Sequence, residues 1–204
     1  MRNPLAIGLG AGLASAVLFL SITTGTALAL LLYLILPLPG LIVGFGWGLK
    51  AAVVSVAMAS LVISLAAGFG AEAGYLLGYG LPVLLLTAVG VGSGRSRTTT
   101  DEGPPPGLVA RPGIILSVAT LLAGAFGGLM VLRLGADRAT YDASVEQMGG
   151  EIMAMLPPPL REGLDPARLE QVVAGLAASL PGAMASVWLA LTVLNLLIAR
   201  RVLF

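Results

Sequence analysis

Glu72, Tyr75 and Tyr79 follow one another at i, i+3 and i+7 within one apolar stretch, a spacing that lines side chains along one side of an α-helix. A carboxylate beside two phenol rings can hold a cation or a hydroxylated ligand. The plainer alternative is a glutamate at a membrane interface with tyrosines in the aromatic belt, where burial is not needed. Asn195 is a second polar position, deep among Leu191, Thr192, Leu194, Leu196 and Leu197. An amide in hydrocarbon finds an interhelical partner worth about 0.6–2 kcal/mol, so structural bonding competes there with ligand contact. Tyr33, Arg133 and Trp188 fall toward the same half of their stretches as Glu72, whereas Trp47 sits at the opposite end as an interface anchor.

Reactive chemistry is otherwise scarce. The chain has no cysteine and no histidine, which removes thiolate nucleophiles, disulfides, histidine metal sites and histidine bases. Glu72 has no paired acid or base, so an enzyme is not expected, nor a catalytic residue, a metal or a cofactor. Gly8, Gly10 and Gly12 do not form a nucleotide loop, because Leu13 or Ser15 takes the third glycine position of G-x-G-x-x-G and no P-loop follows. The net charge of +1 argues against a nucleic-acid partner, which would need a basic stripe.

The elements that must carry these residues are apolar helices. Of 204 residues, 57% are hydrophobic and 10% charged, with mean hydropathy +0.99. Soluble domains carry about 25% charged residues, so this chain cannot build a water-facing surface, and its partner solvent is the lipid bilayer. Six stretches at 4–21, 26–48, 51–69, 71–92, 113–132 and 181–199 are each long enough to cross a ~30 Å hydrocarbon core at ~1.5 Å per residue. The reading is an all-α polytopic transmembrane bundle of about six spans with an outer amphipathic helical hairpin. Its divisions are 1–92 for spans 1–4, 93–112 for a linker, 113–132 for span 5, 133–180 for the hairpin, and 181–204 for span 6.

Charge orients the bundle. Arg2, Lys50, Arg95, Arg97, Arg111, Arg200 and Arg201 all fall on one side of such an arrangement, which marks the cytoplasm and places both termini there. The other side receives the uncharged Ser21–Gly25 turn, Glu72 and the 133–180 segment. That segment sets four arginines against Asp137, Asp142, Glu146, Glu151, Glu162, Asp165 and Glu170. Within it, Tyr141, Val145, Met148, Ile152 and Met155 share one helix face until Pro157-Pro158-Pro159 stops it. A second helix begins at Asp165 as N-cap with Pro166 first, carrying Leu169, Val172, Val173, Leu176 and Leu180 as an apolar stripe. Interfacial anchors for anionic lipid are basic, so these acidic helices are read as a cap over the bundle, or as a plain spacer. The linker, rich in Gly, Pro and polar residues, cannot bury a core.

Two details interrupt the simple picture. Pro37-Leu38-Pro39-Gly40 falls inside the second span and predicts two half-helices at 26–36 and 41–48. Such a break survives in a membrane only where protein or a cavity receives the freed backbone. Ala27-Leu28-Ala29 resembles a signal-peptide cleavage site, but the apolar run continues past it. Span 1 carries Ala6, Gly10 and Ala14 on one ridge and Gly8, Gly12 and Ala16 on the next. Small residues four apart open a groove for another helix, either inside this bundle or as a docking face for a partner subunit.

The segments Gly8-Leu-Gly10-Ala-Gly12-Leu-Ala14-Ser15-Ala16, Leu36-Pro37-Leu38-Pro39, Gly44-Phe-Gly46-Trp47-Gly48 and Leu194-Asn195-Leu196…Ala199-Arg200-Arg201-Val202 resemble the YybS-like family of bacterial multi-pass membrane proteins. The likeness covers nearly the whole chain, through short glycine-rich motifs. Members usually continue for further spans, and a fragment ending at Phe204 is one reading of this chain. The family is similar in turn to the S components of energy-coupling-factor transporters, six-span vitamin binders with cytoplasmic termini. That resemblance implies a small-molecule-binding transporter subunit of the bacterial inner membrane, partnered by a transmembrane coupling subunit and ATPases. It implies docking through Ala6-x-x-x-Gly10-x-x-x-Ala14, where S components carry A-x-x-x-A, and a ligand near the outer face among Glu72, Tyr75, Tyr79, Tyr33 and Trp188. The same wider group resembles the cell-shape protein MreD, which implies instead a scaffold that binds envelope proteins and transports nothing.

Overall fold

The structure is a computed structural model describing residues 3–92, 112–157 and 166–203. The 93–111 part of the linker, Arg2, the Asp165 cap, and Pro158 and Pro159 lie outside the described residues. All regular structure among the described residues is helical, and six helical stretches are long and apolar enough to cross a membrane. The protein is thus an all-α polytopic helical bundle. The chain divides into two compact units, Met1–Leu122 with Leu189–Phe204, and Ala123–Trp188.

In the first unit, α1 (Pro4–Ser21) starts from Asn3, whose side chain accepts from the Leu5 amide at 3.1 Å. Pro4 occupies the first turn, where its missing N–H leaves no bond unmade. The second span is broken as the proline pair predicts, into α2 (Ala27–Leu34) and α3 (Leu38–Trp47). Prolines 37 and 39 remove two amides, and each ring crowds the carbonyl four residues earlier. The second half-helix begins earlier than position 41, because Pro39 is tolerated in a first turn.

α4 (Leu49–Ala67) and α5 (Phe69–Tyr75) follow, then a π-helical turn (Leu76–Gly80) and α6 (Leu81–Gly92). Single glycines join α3 to α4 and α4 to α5. Gly48 stands at φ 90°, ψ 175° and Gly68 at φ 83°, ψ 171°, a region only glycine enters at little cost. Each ends one helix and starts the next: Gly48 N–H donates to Gly44 O at 2.9 Å, and Gly48 O accepts from Ala51 and Ala52. No atom lies within 4 Å of a Cβ built on either glycine, so any cost of substitution is conformational. Gly48→Ala and Gly68→Ala should each destabilise the protein by about 1–3 kcal/mol, measured by denaturant titration in detergent micelles. Equal stability in both variants and the native chain would show that the angles are not obligatory.

A close backbone contact in this unit sets α1 against α4. A Cβ on Gly8 would stand 2.8 Å from Ala51 O, and one on Gly12 would strike Ser55 O and lie 2.7 Å from Met58 Cβ. An exposed ridge of α1 carries Leu9, Leu13 and Val17, exposed to 45, 45 and 66%, a surface suited to acyl chains rather than water.

The second unit holds the distal part of α7 (Pro112–Leu134), α8 (Arg138–Met155) and the first half of α9 (Pro166–Leu203). Asp137 caps α8, accepting from Thr140 N at 3.0 Å and Thr140 Oγ1 at 2.7 Å. Those bonds, backbone and side chain, hold its carboxyl below the usual carboxylate range. Tyr141 OH lies 3.3 Å from Ala178 O, a Cβ on Gly149 would touch Val173, and Gly127 faces Ala185. α8 therefore runs antiparallel to α9 and extends the α7–α9 pairing as a two-helix arm.

Here the structure departs from the sequence reading. The amphipathic helix from Pro166 and the sixth span are one helix of 38 residues, with Pro181 inside it. Its length of about 57 Å exceeds the hydrocarbon core. A lone proline removes one amide and bends a helix where neighbours re-satisfy the backbone. The Tyr141 hydroxyl donates to the Ala178 carbonyl beside that gap. The expected stripe is also divided, since Leu169 and Val173 are buried while Val172 and Leu176 are more than half exposed.

Candidate functional site

The aromatic residues singled out in spans 2 and 4 meet, and a ring from span 1 links them. Tyr33 is near the end of α2, just before the proline break, and Tyr79 sits in the π turn. Their rings stand edge to face with centroids 5.4 Å apart. Phe19 of α1 touches Tyr33 at 6.3 Å and Tyr75 at 5.6 Å, so four rings form a chain. Tyr75 is 4% exposed, whereas Tyr33 and Tyr79 are half-buried. Edge-to-face ring pairs contribute about 0.5–1.5 kcal/mol each beyond area burial, so this chain is also a packing element.

The single helix face expected for Glu72, Tyr75 and Tyr79 is altered between the tyrosines. The Leu81 amide bonds the Leu76 carbonyl five residues back, which puts one extra residue into that turn and rotates the rest of the span about its axis. Pro82 gives the cause: its ring would crowd the carbonyl of residue 78 in an α-helical register. Gly78, Gly80 and Pro82 were the available signal. Glu72 lies half-buried in the first turn of α5, where the helix dipole favours a carboxylate. Trp188 belongs to the second unit and stacks on Phe126 at 6.0 Å and 19°.

Asn195 is fully buried and holds the broken span. Its Nδ2 donates to Leu34 O and to Leu191 O, both at 2.8 Å. Two carbonyl acceptors require the amide nitrogen to face them. Around the break, Ile35 N reaches Leu32 O, Leu36 N reaches Tyr33 O, and Leu38 N reaches Ile35 O. Leu34 O is thus skipped by the tightened turn, and Asn195 receives it. Among the described residues Asn195 Oδ1 accepts no hydrogen bond, and the buried hydroxyls of Ser55, Ser60 and Thr87 have no partner either.

The two ridges of span 1 separate. Gly8 and Gly12 press into α4, with Ser15 and Ala16 buried beside them. Ala6, Gly10 and Ala14 are exposed, and nothing lies within 4 Å of a Cβ on Gly10. Sequence spacing alone did not reveal Phe19 as the linking ring, the π turn, or the open groove in the two-helix arm.

Composition and fold together define an integral, multi-pass helical membrane protein. No family model matches the chain, and no curated protein or solved structure matches it.

Proposed function

We propose that this chain is a small-molecule-binding subunit of a membrane transporter, resembling an S component and, more nearly, the YybS-like proteins. The supporting observation is that two irregular segments of the first unit meet, the Tyr33–Pro37 break and the Leu76–Gly80 π turn, through the Tyr33–Tyr79 pair. Broken helices supply ligand sites in many transporters, and π turns concentrate at functional positions. On this reading a ligand inserts between spans 2 and 4, with Tyr33 and Tyr79 as walls and Glu72 as the polar contact. Tyr75 supports the wall from behind, and Trp188, stacked on Phe126, takes no part. The chain itself performs no catalysis; energy comes from a coupling subunit with ATPases docked on Ala6, Gly10 and Ala14. On this reading the membrane is the bacterial cytoplasmic one, and the basic span ends and both termini face the cytoplasm.

A second reading, a scaffold for envelope proteins, is favoured by the near-complete burial of Tyr75, since a filled ring chain leaves less room for a ligand. The two separate by experiment. In the first, a panel of vitamins and metabolites raises the unfolding temperature of purified protein, and Tyr79→Ala abolishes the shift. No shift across the panel would remove the binding reading. Gly10→Leu should break a complex co-purified from native membranes while the protein stays folded. ATPases in that complex favour transport, and envelope-synthesis proteins favour scaffolding.

A further inference from the structure

The arm formed by α8 and the first half of α9 contains an open groove of about 740 Å³. α8 lines it from Asp142 to Met153 at positions three and four apart, one continuous helix face about 16 Å long. Its floor is apolar: Val145 and Met153 from α8, Leu169 and Val173 from α9, with Leu169 and Val173 nearly buried. Gly149 and Gly150 line it without side chains, which leaves the space open. The rim is acidic, with Asp142, Glu146 and Glu170, and no basic residue lines it among the described residues. Arg138 lies 3.7 Å from Asp142 across one turn, whereas Glu146 and Glu170 have no ion pair among the described residues. Arg168, two residues before Glu170, projects from the other side of α9.

We infer that this groove receives a basic amphipathic helix from a partner protein, packing as the third helix against the α8–α9 pair. Two antiparallel helices with an apolar floor between them offer the shape that a third helix fills. The uncompensated carboxylates select a partner whose apolar row is bordered by lysine or arginine. A second copy of the arm is the wrong occupant, because the 133–180 segment carries seven acidic residues against four basic ones. An anionic membrane surface is disfavoured by the same repulsion. The inference is independent of the proposed ligand site between spans 2 and 4.

The test uses the full chain in nanodiscs of zwitterionic lipid, with empty nanodiscs as the blank. The probe is a fluorescent helical peptide, about four turns long, of leucine and lysine at i, i+3, i+4, i+7 spacing. Saturable binding is expected, weakened by salt. It should be lost for the same residues scrambled out of helical register and for a leucine–glutamate peptide. Glu146→Lys with Glu170→Lys, both exposed positions, should weaken binding about tenfold or more. Gly150→Leu, where a Cβ meets nothing within 4 Å, should fill the groove and do the same without altering charge. Circular dichroism confirms that each variant keeps its helices. Absence of saturable binding to the native chain, equal binding of the scrambled peptide, or unchanged affinity in folded variants each overturns the proposal.

Discussion

Gly12→Ala should unfold or severely destabilise the protein, whereas Gly10→Ala, two residues away, should leave it as stable or slightly more so. The same methyl group is added in both cases, so only its surroundings differ. On Gly12 it meets the Ser55 carbonyl, Met58 Cβ at 2.7 Å and Ala59 N at 3.2 Å. Two of these atoms are backbone, and the third is the root of a side chain, so none can swing aside. α1 must therefore move off α4, and Gly8, one turn earlier and 2.8 Å from Ala51 O by the same construction, lifts with it. Overpacking of this kind costs about 1–3 kcal/mol when the surroundings yield and more when they cannot. We expect a loss of about 3 kcal/mol or more for Gly12→Ala. At Gly10 the new methyl meets nothing, and alanine is favoured over glycine inside a helix by up to about 1 kcal/mol. Titration from mild detergent into SDS, followed by circular dichroism, measures both. Equal midpoints for the two variants would show that α1 does not pack on α4 through this ridge.

That contrast also marks how far the sequence could be read. Both ridges of span 1 consist of small residues at four-residue spacing, so their composition cannot say which one faces inward. The choice depends on α4, about 40 residues later in the chain, whose Ala51, Ser55 and Ala59 form the complementary surface. The spans and the Pro37–Pro39 break were legible because each rests on a local rule: apolar length in one case, missing amides in the other. The union of α9 across Pro181 was not legible, since a proline at the start of an apolar run reads equally as a boundary or a bend. The face shared by Glu72, Tyr75 and Tyr79 assumed an unbroken 3.6-residue period, and the extra residue in the π turn altered it. The ring chain was half visible: the tyrosines stood out by type, but Phe19 looked like any other apolar residue of span 1.

Asn195 illustrates the same boundary and leads to the second large effect. Its polarity in an apolar span pointed to a buried hydrogen bond; the partner, 161 residues away at Leu34, came only with the fold. Asn195→Leu removes the donor that reaches the Leu34 carbonyl beside the break, while Leu191 O keeps its place in the helical ladder. An orphaned buried carbonyl costs about 1–3 kcal/mol, partly offset because the unpartnered Asn195 Oδ1 is also removed. We expect a net loss of about 2 kcal/mol. Size alone would not identify the cause, since any core substitution can cost as much. A second background does. With Pro37→Ala and Pro39→Ala the missing amides return, and the Leu38 N–H, now on Ile35 O at 3.0 Å, can move to Leu34 O as in an unbroken helix. Asn195→Leu should then cost less than about 1 kcal/mol, and the difference between backgrounds measures the coupling of amide to break. The same SDS titration reads all four proteins. If Asn195→Leu costs as much without the prolines as with them, the amide is filling space rather than closing the gap that the prolines open.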